Sequence, residues 1–273
     1  MTTATLEPVT TRPLKVTQWR VIASEWTKFR SLRSTIWTLL VGVVLMIGLG
    51  AIASAVTANQ YHTFNAHDRA AFSAIGVSLA GISLAQIAIG VLGVLLISGE
   101  YSTGMIRSSL TAVPRRLPML WAKIGVMAGV VFVVALVGSL ISFFLGQLLL
   151  SSHHLNVSIT DPGALRSVIG AAGFLTMAGM IGVAIGTIVR NTAGGITTFV
   201  GAFLVIPPLT MLLPNSVSDR ITPYMPPNAG GSMYSGNGGL AHSLSPFAGF
   251  LALGAFLVLL VAAAAFRLQR SDA

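Results

Sequence analysis

The sequence predicts an all-α polytopic membrane protein with six transmembrane helices and both termini in the cytoplasm. Three observations lead there. Only 8% of the 273 residues are charged, the mean hydropathy is +0.83, and the few charges fall between long apolar runs. A soluble domain carries roughly a quarter of its residues as charges. This chain cannot cover a water-facing surface, so lipid must be its main solvent and helices must satisfy its backbone. The pI near 11.1 would suit nucleic acid, but bases gathered between apolar runs point instead to membrane lipids and topology, and no nucleic-acid partner is expected. The chain has no cysteine, which excludes disulfides and thiolate metal sites.

Taken in order, residues 1–15 read as a disordered cytoplasmic tail and 16–34 as an amphipathic helix. In "VTQWRVIASEWTKFRSLR", Val16, Trp19, Ile22, Trp26 and Phe29 recur at steps of three and four and form one apolar stripe. Arg20, Lys28, Arg30 and Arg33 surround it. Such a helix is expected to lie in the headgroup plane, with Trp19, Trp26 and Phe29 in the interface and Arg20, Lys28 and Arg30 toward anionic lipid.

Residues 35–270 form the transmembrane domain. Six apolar runs are each long enough to cross about 30 Å of hydrocarbon at 1.5 Å per residue: Thr35–Thr57, Phe72–Ser98, Ala122–Leu150, Ser167–Val189, Thr192–Leu213 and Pro246–Phe266. The third is long enough to tilt or project, and Pro207-Pro208 should kink or shorten the fifth. Placing the termini together puts thirteen of the sixteen Lys and Arg residues on one side. Arg69, Arg166 and Arg220 are left on the other. The positive-inside rule therefore places the termini and loop 99–121 in the cytoplasm.

That loop interrupts the apolar chain most sharply. Glu100 stands where the second span ends, Thr103-Gly104 can break the helix, and Arg107 follows Glu100 by two helical turns. Pro114 and Pro118 bracket Arg115-Arg116 and redirect the chain. The stretch "GEYSTGMIRSSLTAVPRRLPMLWAK" resembles the E-x-x-T-G … P-x-R … K signature that follows the second span in type-2 permeases of ATP-binding-cassette transporters. The resemblance covers most of the chain from about Trp19 to Arg270, with motif-level specificity at 98–123. It implies that the loop is a short coupling helix docking on a cytoplasmic ATPase. Glu100, Thr103, Gly104 and Arg107 would lie on or beside that contact, and Pro114, Arg115 and Lys123 would mark the return to the membrane. It also implies a connecting or gate role for the helix at 16–34, an outer cap or re-entrant element at 214–245, and a bacterial plasma-membrane location.

No engine is found in the sequence. The P-loop pattern G-x-x-x-x-G-K-[ST] is absent, since Lys15, Lys28 and Lys123 follow Leu, Thr and Ala. The chain is accordingly expected not to be an enzyme and to hold no cofactor, with ATP and Mg bound by a separate ATPase subunit. A second permease copy, identical or related, is expected to complete the pathway. Gly125-x-x-x-Gly129 and Gly182-x-x-x-Gly186 permit close helix contact, within one subunit or between two.

The span interiors hold almost nothing ionisable, which argues against proton or ion coupling. Gln86 and Gln147 could line a pathway or hydrogen-bond between helices. His153, His154 and Asp161 on a short outer loop do not make a metal site. Two other readings fit the composition. One is a resistance, immunity or sensory module on the same scaffold. The other is a rhomboid-like intramembrane serine protease using Ser83 and His242, although Ser83 would sit in the second span and His242 outside the membrane, which disfavours a dyad.

Overall fold

The computed structural model describes residues 17–102, 104, 116–235 and 244–270. Every regular element among them is helical, and six helices are long and apolar enough to cross a membrane. An N-terminal helix, Gln18–Ser31, precedes the first span, Arg33–Gln60. The second span is Ile82–Ser102, the third Arg116–Ser151 and the fourth Ala164–Val189. The fifth is Thr192–Thr210 and the sixth Pro246–Arg270. At 36 residues, or about 54 Å, the third span outreaches the hydrocarbon layer.

The fourth span is the most buried of the six and packs against the second, third, fifth and sixth. Glycines make this possible. A Cβ at Gly182 would collide with the Gly90 carbonyl oxygen, and one at Gly93 with the carbonyl oxygen of Gly179. The two backbones therefore touch through reciprocal glycine pairs, the close approach that small residues permit between membrane helices. Gly186 completes the seam against Val94 and Ile97. Gly182 and Gly186 are thus used within the subunit, whereas Gly125 and Gly129 meet nothing within 4 Å.

Four of the spans run a few residues beyond their sequence limits at one or both ends, whereas the second starts late and the fifth stops early. The second is not continuous from Phe72. A short helix, Ala74–Ser78, ends in a turn at 79–81, and the long helix starts only at Ile82. Gly81 lies so close to the first span that a Cβ would strike the carbonyls of Leu45 and Met46. The break frees polar groups that lipid cannot satisfy, and the third span supplies the partners. Ser142 Oγ donates to Ser78 O at 2.7 Å, and Gln147 Nε2 donates to Ser78 Oγ at 2.9 Å and Ala74 O at 3.2 Å. Gln147 Oε1 accepts from Val157 N at 2.8 Å. Gln147 is a fastener between segments. Gln86 bonds only within its own turn, to Ser83 O at 2.8 Å, and its Oε1 has no partner among the described residues.

The fifth span stops at Thr210, short of Leu213. Pro207 lacks an N–H and its ring would crowd the carbonyl four residues earlier. The helix widens into a π turn over Gly201–Val205 just before the proline pair, a relief that such turns commonly provide. Beyond it, Asn215–Ile221 and Pro226–Gly231 form short helices. Gly230 lies against the Phe174 ring and Ala229 against Gly249, so residues 226–235 fold onto the starting ends of the fourth and sixth spans.

Crowding and open glycines give a paired expectation. Gly182→Ala forces a methyl into the Gly90 backbone and should cost about 1–3 kcal/mol, the range for overpacking. Gly129→Ala should be neutral or stabilising by up to about 1 kcal/mol, because alanine favours the helix and meets open space. Unfolding of the two variants in detergent measures the contrast.

Candidate functional site

The candidate site starts at the N-terminal helix. Val21, Glu25 and Phe29, four residues apart, are its buried face, and that face packs chiefly on the third span. The apolar stripe expected from the sequence is divided: Phe29 is buried and Ile22 packs against the core. Trp19 and Trp26 point outward at 75% and 47% exposure, Arg20 and Arg30 are exposed, and Val16 lies outside the described residues. The physical reason is Glu25, whose carboxylate is drawn inward by two lysines. Trp37 and Trp121 are exposed near the starts of the first and third spans. All four tryptophans of the chain are thus exposed, on the N-terminal helix or near the starts of the first and third spans, as interfacial aromatics are.

Glu25 belongs to a four-charge cluster that joins three elements. Lys123 Nζ, at the start of the third span, donates to Glu25 Oε2 at 2.6 Å and Glu100 Oε1 at 2.9 Å. Lys28 Nζ donates to Glu25 Oε1 at 2.9 Å and Glu100 Oε1 at 3.2 Å. Two carboxylates and two ammoniums balance in charge. Glu25, Glu100 and Lys123 are each buried, while about a third of the Lys28 side chain is exposed. Burial alone would push the Glu25 carboxyl up, but the charges and hydrogen bonds of Lys123 and Lys28 outweigh it and hold it below its ordinary value. Burial likewise pulls Lys28 down, and Glu25 followed by Glu100 more than compensates, so its ammonium is held above the usual range.

The cluster sits at the two roots of loop 99–121. Glu100 is in the last turns of the second span and Lys123 in the first turns of the third. Gln18 Nε2 adds a bond to Pro118 O at 3.0 Å. Glu100 is therefore directed into the subunit, toward lysines, and not outward from the loop. Gly104 has φ +71 and is exposed. Its N–H bonds to Tyr101 O at 3.3 Å, the left-handed helix ending that glycine adopts at no steric cost. Thr103, Arg107, Pro114 and Arg115 lie outside the described residues. On the neighbouring elements, Arg190 stacks over the Tyr101 ring at 5.3 Å and Thr192 Oγ1 donates to Ser98 Oγ at 3.0 Å, tying the second span to the turn between the fourth and fifth.

Residues 21–205 match the family model described as "ABC-2 family transporter protein". The chain belongs to the ABC-2 transporter family. The match runs from the N-terminal helix to the end of the π turn, so it covers all four charges of the cluster and well over half the chain. No curated protein matches the sequence. The ABC-2 family is one of membrane transport subunits, which makes this chain a multi-pass ABC permease subunit. The protease reading finds no support in the geometry: Ser83 is exposed and its hydroxyl donates to Ala80 O in its own turn, and His242 lies outside the described residues.

Glu25 was not legible as a site residue from periodicity, which treats it as a polar interruption. Its signal is scarcity. The chain has seven acids against sixteen bases, and an acid flanked at four-residue steps by Val21 and Phe29 must be buried with a cation.

Breaking a buried pair strands an ion, at a cost of about 3–5 kcal/mol. Lys123→Met should lower the unfolding free energy in detergent by that amount. Glu25→Gln combined with Lys123→Met should cost less than the two single losses added, because the pair is coupled.

The pH response follows from the two shifts. Glu25 is depressed, so its contribution is full above its unfolded value near 4.5 and fades as pH falls toward the lowered folded value. Lys28 is raised, so its contribution is full below its unfolded value near 10.5 and fades as pH climbs through the folded one. Thermal melts should be flat between those limits with respect to these two groups, and decline outside them. In Glu25→Gln the decline on the acid side should shrink.

Proposed function

We propose that this chain is the permease half of an exporter, driven by a separate cytoplasmic ATPase that docks on loop 99–121. The reading is supported above all by the charge cluster at the loop's roots. Glu100 and Lys123 are fastened to each other and to the N-terminal helix through buried ion pairs. A push on a loop so anchored moves the second and third spans and the N-terminal helix as one body, since buried pairs do not yield gradually.

On this reading the loop presents Thr103, Gly104, Arg107, Pro114 and Arg115 to the ATPase, and Glu100 and Lys123 act behind it by positioning. The ATPase, not this chain, binds and hydrolyses ATP with Mg. The termini and the loop face the cytoplasm of a bacterial cell, in keeping with the charge bias. A second permease copy completes the pathway. The first and fifth spans are the least buried of the six and offer the faces for it. The differential contact that coupling requires is the ATPase grip on the loop in its two nucleotide states.

The test is reconstitution of the complex in lipid nanodiscs. Arg107→Ala should weaken ATPase copurification. Glu100→Gln should leave the complex assembled but reduce stimulated ATP hydrolysis and transport by about tenfold, the effect of a coupling loss near 1.4 kcal/mol. Unchanged hydrolysis and transport in both variants, with the complex intact, would remove the loop from the coupling role.

A further inference from the structure

Beside the charge cluster lies a cavity of about 330 Å³, between the N-terminal helix, the start of the first span, the end of the second and the start of the third. Its chemistry is divided. Phe29, Leu32, Leu95, Leu96 and Val126 make an apolar chamber, while Glu25, Lys28, Glu100 and Lys123 stand along one wall with Ser31 and Ser34 nearby. It is set among the segments that carry the exposed tryptophans, where headgroups meet acyl chains.

The cluster has one unmet demand. Glu100 Oε1 accepts from both lysines, but Glu100 Oε2 is buried and has no hydrogen-bond partner among the described residues. An ionised oxygen shielded from water and left without a donor is costly, more so than a neutral one. What would complete the wall is a hydrogen-bond donor, and what would fill the chamber is an aliphatic body. Lys28, the most open of the four charges, stands beside it as a partner for a phosphate.

We propose that this cavity binds an amphiphile whose primary ammonium donates to Glu100 Oε2 and whose aliphatic part lies against Leu32, Leu95 and Leu96. The head enters past Lys28 and approaches the Glu100 carboxylate from the cavity, with Oε1 still held by the two lysines. An aminophospholipid such as phosphatidylethanolamine carries this chemistry, with its phosphate toward Lys28, and so does a long-chain alkylamine. A quaternary ammonium does not, because it has no N–H to give. The site lies at the roots of the docking loop, behind the surface proposed to meet the ATPase, and goes beyond the transport assignment.

The experiment uses the full chain alone, purified in detergent, with bound lipid counted by native mass spectrometry. Dioleoyl phosphatidylethanolamine should be retained at concentrations about tenfold lower than dioleoyl phosphatidylcholine, a difference of one charge-assisted hydrogen bond. Binding of both lipids at the same concentrations, tighter binding of dioleoyl phosphatidylglycerol than of either, or binding of neither lipid nor of dodecylamine would overturn the proposal. Dodecylamine should displace the bound lipid and dodecyltrimethylammonium should not. Binding of dodecylamine without phosphatidylethanolamine would assign the cavity to a free amine in place of a membrane lipid. Leu95→Trp fills the chamber without touching a charge. It should cut retention about tenfold at an unchanged melting temperature, and undiminished retention would sink the proposed location. The head-group comparison needs no variant, so it stands even if Leu95→Trp folds poorly. Because no ATPase is present, failure here leaves the coupling reading intact, and failure of coupling leaves this one intact.

Discussion

Three charges taken out of water, Glu25, Glu100 and Lys123, must be neutralised where they lie with the help of partly exposed Lys28, and that requirement organises one end of this molecule. An unpaired carboxylate or ammonium in a low-dielectric interior costs several kcal/mol, so Glu25, Glu100 and Lys123 can be buried only with one another and Lys28. They enter on three separate parts of the chain: Glu25 and Lys28 on the helix before the spans, Glu100 at the end of the second span and Lys123 at the start of the third. Meeting the charge balance therefore fixes the rotation of the N-terminal helix and the separation of the loop's two roots. A hydrophobic replacement of similar shape could be as stable or more so. What the ions add is a single register, since no other face of Gln18–Ser31 offers an acid to Lys123.

The same economy of polar groups governs the membrane interior. Breaking the helix at 79–81 leaves the Ser78 carbonyl for a partner outside the helix, and the third span answers with Ser142 and adds Gln147 to the Ser78 hydroxyl and the Ala74 carbonyl. The π turn at Gly201–Val205 accommodates Pro207 and Pro208 without ending the helix there. Around these repairs the bundle is held by shape. Hydrophobicity cannot drive helices together in lipid, so the reciprocal glycine contacts between the second and fourth spans supply the close packing.

Function follows from this division of labour. On the proposed reading, work reaches this permease through the loop between its second and third spans, whose two ends are joined by buried ion pairs. The charge cluster makes those ends part of a rigid body that includes the N-terminal helix. The cavity alongside shares its wall with the cluster, so an amphiphile seated there would bear directly on the same contacts that hold the loop.

The sequence by itself determined the fold class, the number of spans, the position of the loop and the bias of charge. Each of these depends on composition and local order along the chain: a run of about twenty apolar residues has few choices in lipid. It also pointed to Glu100 and Lys123, since charges at span ends are conspicuous against an apolar background. Only the tertiary structure decided that Glu25 joins them, that Trp19 and Trp26 turn away, that the second span is broken below Ile82 and that Gln147 mends the break. Those outcomes depend on which residues from distant parts of the chain come within hydrogen-bond reach. Helical periodicity could place Glu25 on a face. It could not say that Lys123, 98 residues away, would be waiting on the other side.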